Sequence, residues 1–235
     1  MKHIIICILT MNILFSCSLD KKVNSTVIDI DGNQYKTVFI GKQEWMAENL
    51  DVTKFQNGDI IIETKTKAEW ESAIQNKQPA WCFYNYSKKN GEKYGKLYNW
   101  YAVIDSRGLA PEGWQIPNYQ DWEQLIKFLN HDDLNIDIGI KMKSKNGWND
   151  NGNGTNESGF NGLPGGGIDC EGEFKNIGEL GCWWLPKKEN MRINMVLCFV
   201  NGELGLTGDE NFDCGKYETG DGSNAGMSIR CIKSN

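Results

Sequence analysis

Histidine is nearly missing from this chain: two stand among 235 residues, His3 and His131. His3 belongs to the N-terminal leader read below. That leaves one imidazole as a base, and no Ser or Cys forms a recognisable catalytic pattern with it. His131 falls just past a predicted helix, beside Asp132 and Asp133, where a cation suits the negative helix end. The phosphate-cradling Gly-rich loop and the dinucleotide fingerprint are both missing, which argues against nucleotide chemistry. Cysteines are never close enough in sequence to form a zinc knuckle. Basic charge is also short, with 25 Lys and Arg against 31 Asp and Glu, a net charge of −6. This balance argues against nucleic acid and against anionic membrane surfaces as partners. Carboxylates do occur as doublets, at Glu69 and Glu71, Asp132 and Asp133, and Asp209 and Glu210. A hydrolase would need two of them facing one cleft, and charged doublets of this kind read as solvated surface.

The start of the chain reads as an export signal. Lys2 and His3 give a small positive start, and Ile4 to Phe15 follow as a mostly apolar run. That run is too short to span a bilayer comfortably, and it lies at the extreme N-terminus. It ends Leu14-Phe15-Ser16-Cys17, which resembles the lipobox of bacterial lipoproteins. The resemblance implies a signal peptide over residues 1–16, cleavage before Cys17 and acylation of Cys17. Ser18, rather than Asp, after the cysteine implies outer-membrane sorting within the bacterial cell envelope. Several acyl chains anchor stably, because each buried methylene contributes roughly 0.8 kcal/mol. Residues 17–26 are then a short polar tether, and 27–235 a single domain, long enough to build a core.

Nine Trp and 26 Gly are the surplus. Trp45, Trp100, Trp114 and Trp122 read as core. Trp148, Trp183, Trp184 and Tyr217 lie in or beside the loop-rich half, where a rigid aromatic can stack on a sugar or anchor a protein. Adjacent Trp183 and Trp184 in a strand would point to opposite faces, one in and one out. Cys7 leaves with the signal, and the remaining cysteines suit an oxidising compartment. Sequence does not choose among their pairings. The arrangement expected here is Cys170–Cys182 and Cys198–Cys214 as local staples, with Cys82–Cys231 closing the domain.

Alternation around Asp31-Gly32-Asn33, from Thr26 to Ile40, predicts a hairpin. Gln43 to Leu50 predicts a strand or short turn leading away from it. Thr66 with Glu69 is a capping box and opens a helix to Asn76 with Trp70, Ala73 and Ile74 on one face. A second helix is predicted over Tyr94–Ile104. A third runs over Pro117–Asn130, capped by Asn118, with Trp122, Leu125, Ile126 and Leu129 in one stripe. After a Gly- and Asn-rich stretch, short strands are predicted at Cys182–Leu185, Asn194–Val200, Glu203–Leu206 and Met227–Ile232. The fold class is α+β. Asn149, Asp150, Asn151, Asn153 and Glu157 form an oxygen-rich loop that echoes half of an EF-hand, the candidate site for Ca²⁺. Phe160 stands where the second half would need its Glu, and the same residues also make turns.

The segments IDGNQYKTVFIGKQEWMAENL, YGKLYNWYAV, PEGWQIPNYQDWEQL, GFNGLPGG, the Trp183-Trp184 pair and the ending GMSIRCIK resemble the Fibrobacter succinogenes major paralogous domain, in order, along residues 27 to 233. That family in turn resembles the C-type-lectin-like fold, as in formylglycine-generating enzymes. The resemblance implies two or three helices flanking a small twisted antiparallel sheet, with a long Gly/Asn-rich loop region that carries binding. The redox cysteine pair of those enzymes has no counterpart here, so their activity is not carried over. The family often has a Cys before PSGW as partner of the last-strand Cys. Ala110 stands there instead, which leaves Cys231 to pair elsewhere or stay a thiol. After the Trp pair the family continues with small hydroxyl residues, and here Leu185-Pro186-Lys187-Lys188 follow. The function expected is a lipid-anchored, non-catalytic binding or adhesion protein for a glycan or an envelope protein. A structural part in a surface assembly is the alternative, and an envelope enzyme is more distant.

Overall fold

The structure is a computed structural model that describes residues 25–129, 138–186, 192–198, 204–206 and 224–234, the two short segments in the 190s and 200s as backbone alone. The leader, Cys17, His131, Cys214, Tyr217 and the Cys198 side chain therefore lie outside the described residues.

Three sheets carry the fold. The first orders β1 (Thr26–Ile28), β2 (Gln34–Ile40), β3 (Gln43–Met46), β14 (Ile232–Lys233) and β7 (Trp114–Gln115). The second orders β4 (Ile62–Glu63), β5 (Ala80–Cys82), β6 (Leu97–Asn99), β13 (Gly226–Met227), β8 (Gly167–Ile168) and β9 (Phe174–Lys175). The third joins β10 (Leu180–Pro186), β11 (Arg192–Cys198) and β12 (Leu204–Leu206). All named strand pairs are antiparallel except β4 with β5. Five α-helices complete a mixed α+β architecture: α1 (Lys67–Gln75), α2 (Lys88–Tyr94), α3 (Trp100–Val103), α4 (Tyr119–Leu129) and α5 (Ile138–Met142).

The expected hairpin is present. Val27 pairs with Tyr35 and Ile28 with Gln34. The turn between them takes Gly32 at φ +86°, a conformation that costs glycine nothing. Helix α1 starts where the capping box placed it: Thr66 accepts from the Glu69 amide at 3.2 Å, while Glu69 reaches the Lys65 amide at 2.6 Å. Helix α4 is capped by Asn118, which accepts from the amides of Gln120 and Asp121, and Asp121 returns a bond to the Asn118 amide. Its stripe of Trp122, Leu125 and Leu129 is buried.

The helix expected over Tyr94–Ile104 is a correction. Leu97–Asn99 is instead strand β6, in the middle of the second sheet, paired to Trp81 and Cys82 on one side and to Gly226 and Met227 on the other. Only Trp100–Val103 is helical. Two neighbouring strands satisfy this backbone, and that pairing outweighs a local helical pattern. Helices α2 and α5 have no counterpart in the sequence reading.

The last described segment holds the molecule together. Strand β14 lies between β3 and β7, and β13 lies between β6 and β8. Between them, Ser228 bridges to Trp183 of β10. The Cys231 carbonyl accepts from Met46 at 3.0 Å and the Ile229 carbonyl from Leu50 at 2.8 Å. The ending GMSIRCIK thus touches all three sheets.

The disulfides expected at Cys82–Cys231 and Cys170–Cys182 do not form, because Cys82, Cys182 and Cys231 are buried thiols. Cys82 packs with Trp70 and Ile74, whereas Cys231 belongs to a separate cluster with Tyr98 and Trp184. Burial pushes the thiols of Cys82 and Cys231 up, out of the range in which a thiolate forms. Ala110 belongs to the same buried apolar cluster as Cys231.

Candidate functional site

Three of the four aromatic residues expected to meet a ligand are in the core, Tyr217 lying outside the described residues. Trp148 is 5 %, Trp183 2 % and Trp184 1 % exposed. The expectation that one of the Trp pair faces outward is corrected: β10 is covered on both faces. Trp183 packs edge-on against Phe160 at 5.5 Å in one cluster, and Trp184 packs against Trp100 at 5.3 Å in another. Their indole N–H groups donate inward, to Asn49 Oδ1 and to the Tyr98 carbonyl. Trp45, Trp100 and Trp122 are core as expected, and Trp114 is partly buried beside it.

The loop over Asn149–Glu157, expected to offer oxygens to Ca²⁺, is a series of turns. Asn153 Oδ1 accepts from the Trp148 amide at 3.0 Å, and the Asn149 carbonyl accepts from Gly152. Thr155 donates to the Ile140 carbonyl and accepts from the Glu157 amide. Asp150 and Asn151 take φ +48° and +64°. The Asn153 and Thr155 side-chain oxygens thus bond backbone groups. Among the described residues, no three His, Cys, Asp or Glu stand together to hold a metal.

What the structure does present is a polar cleft of about 370 Å³. One wall is the start of β2 with the segment after β3, carrying Gln34, Tyr35, Glu48 and Asp51; the second is α2, with Glu92, Lys93 and Tyr94; the third is the loop at Asn161 and Leu163. Helix α2 can lie this close because Gly91 faces the Phe83 ring, where a Cβ would collide. Gly95, at φ +79°, then turns the chain out of α2 and into β6.

The floor of the cleft is built around Asn49. Its Oδ1 accepts from Arg230 Nε at 3.2 Å, Arg230 Nη2 at 2.6 Å and Trp183 Nε1 at 2.8 Å. Its amide nitrogen donates to the Tyr94 carbonyl at 2.8 Å and to Ser228 at 3.3 Å. Arg230, 1 % exposed, also donates to the Phe160 carbonyl and lies over the Phe160 ring at 4.5 Å. Burial pushes its guanidinium down to about 9, with Glu48 acting in the opposite direction, so it is a cation at neutral pH. It forms no salt bridge among the described residues, and neutral oxygens and an aromatic face hold its charge.

A second buried cation stands at the side. Lys96 donates to Asp51 Oδ1 at 2.5 Å and to the Asp51 carbonyl at 2.7 Å, with its ammonium 4.7 Å from the Trp81 ring. Burial raises the Asp51 carboxyl above its ordinary value, although Lys96 opposes this. Behind it, Tyr35 donates to Asp29 at 2.6 Å and accepts from the Asp51 amide at 2.9 Å.

None of these residues was picked out from the sequence as a site. The available signal was a charge in an apolar run: Arg230 stands between Ile229 and Cys231 in a segment that reads as a buried strand.

The sequence model of one protein family, described as the Fibrobacter succinogenes major domain, matches residues 38–233. No curated protein and no solved structure matches the chain.

Proposed function

For a chain that belongs to the Fibrobacter succinogenes major domain family, we propose a lipid-anchored protein of the bacterial cell envelope that binds a glycan and does no chemistry on it. The cleft carries this reading. It is open, of ligand size, and walled by amides, carboxylates and two tyrosines that together offer donors and acceptors to a hydroxyl-rich molecule. The C-type-lectin-like form of the fold is part of the same proposal. It is supported by small, mostly antiparallel sheets, the first packed by α4 and the second by α1, and by the long turn-rich stretch from Lys143 to Gly166. Anchoring rests on the Leu14-Phe15-Ser16-Cys17 sequence.

The test is a glycan-panel screen with the full chain in detergent micelles, run with and without a chelator. Saturable binding to a defined glycan, unchanged by chelator, is the expected result, because residues 149–157 do not line the cleft. No binding to any glycan would overturn the reading and direct the search to protein partners of the envelope.

A further inference from the structure

The charges around the cleft come with their own counter-charges. Asp51 is joined to Lys96 at 2.5 Å. Glu48 acts electrostatically on Arg230, which Asn49 holds below the floor, and it also accepts from the Lys36 amide at 2.6 Å. Glu92 and Lys93 are neighbours on α2 and opposite in sign, and the Lys93 ammonium rests 4.7 Å from the Tyr94 ring. Of these six groups Glu48, Asp51, Glu92 and Lys93 line the cleft, with Lys96 and Arg230 buried behind it, and the six together carry no net charge.

Hydrogen-bonding capacity is a different matter. Asn49 is fully engaged, with three bonds accepted and two donated. The side chains of Gln34, Asn161 and Glu92, one on each wall, make no hydrogen bond within the described residues. An amide both donates and accepts, as a sugar hydroxyl does, while Glu92 accepts two hydroxyl protons. The Asn161 backbone is held at φ +55° by a bond from its amide to Asn156 Oδ1 at 2.7 Å, which fixes where its side chain starts.

We propose that this cleft takes an uncharged, hydroxyl-rich sugar, held across its three walls by Gln34, Asn161 and Glu92. The inference rests on the glycan-binding reading and adds the ligand class and the residues.

The experiment is titration calorimetry of the full chain in detergent with three sets of oligosaccharides: neutral, uronate-bearing and amino-bearing, each at low and high salt. Neutral sugars should bind, with affinity changing less than about twofold with salt, because no counter-ions are released. Asn161→Gly keeps the left-handed backbone and Gln34→Ala is a surface change, so neither should shift the thermal midpoint. Each should weaken neutral-sugar binding by about tenfold, the loss of one or two hydrogen bonds to the ligand. A preference for uronates or amino sugars, or strong salt dependence, would overturn the proposal and leave the glycan reading standing. Neutral binding that both variants retain would overturn the assignment of the residues. Failure of all three sets would overturn the proposal together with the glycan reading.

Discussion

Asn49 is the residue on which the most depends. One amide oxygen receives a buried guanidinium twice and a buried indole once, and the amide nitrogen ties the end of α2 to the C-terminal segment. Asn49→Ala would leave a buried cation and a buried indole N–H without their acceptor. The expected loss is about 3 kcal/mol or more, because removing one partner leaves the full desolvation penalty of the other. A urea titration with the wild type alongside reads it, and a change below about 1 kcal/mol would show that water replaces the amide. The two adjacent tryptophans make the complementary point. Alternation correctly placed Trp183 and Trp184 on opposite faces of β10, but it carried no information that both faces are covered.

At the level of elements, the caps were legible and the pairings were not. Thr66, Glu69 and Asn118 announce their helices because capping is a contact between residues a few positions apart. Leu97–Asn99 reads as helix locally, and only its two sheet neighbours make it a strand. Asn99 marks the boundary: its Oδ1 accepts from Ala102 at 2.9 Å to cap α3 and from Ala80 at 3.1 Å, and its amide donates to the Gln78 carbonyl at 2.7 Å. Thr66→Ala, at an exposed cap, should lower stability by about 1 kcal/mol. Asn99→Ala, buried and bound to three backbone groups, should cost roughly 2–3 kcal/mol. Chemical denaturation of the two variants side by side checks the order, and equal losses would contradict the role assigned to Asn99.

Across the whole molecule, the chain closes on itself at its far end. Residues 225–233 supply the inner strands of two sheets and bridge to the third. Gly226 permits this insertion, because a Cβ there would stand 2.8 Å from the Trp70 ring. A chain ending at Asn224 would leave Met46, Leu50 and Trp184 without backbone acceptors and would open the cluster around Cys231. It should lose its cooperative thermal transition and its near-ultraviolet tryptophan signal. Retention of both would show that the sheets hold without their last strands.

The sequence by itself determined the α+β class, the family, the first hairpin, α1, α4 and the tryptophans of the core. These follow from turn chemistry, capping and periodicity, which act over a few residues. Tertiary structure alone decided the identity of β6, the burial of Trp148, Trp183 and Trp184, the thiol state of Cys82, Cys182 and Cys231, and the position of the cleft. Each of these depends on what arrives from far along the chain. Asn49 meets Arg230 across 181 positions, and no local pattern in either segment encodes that meeting.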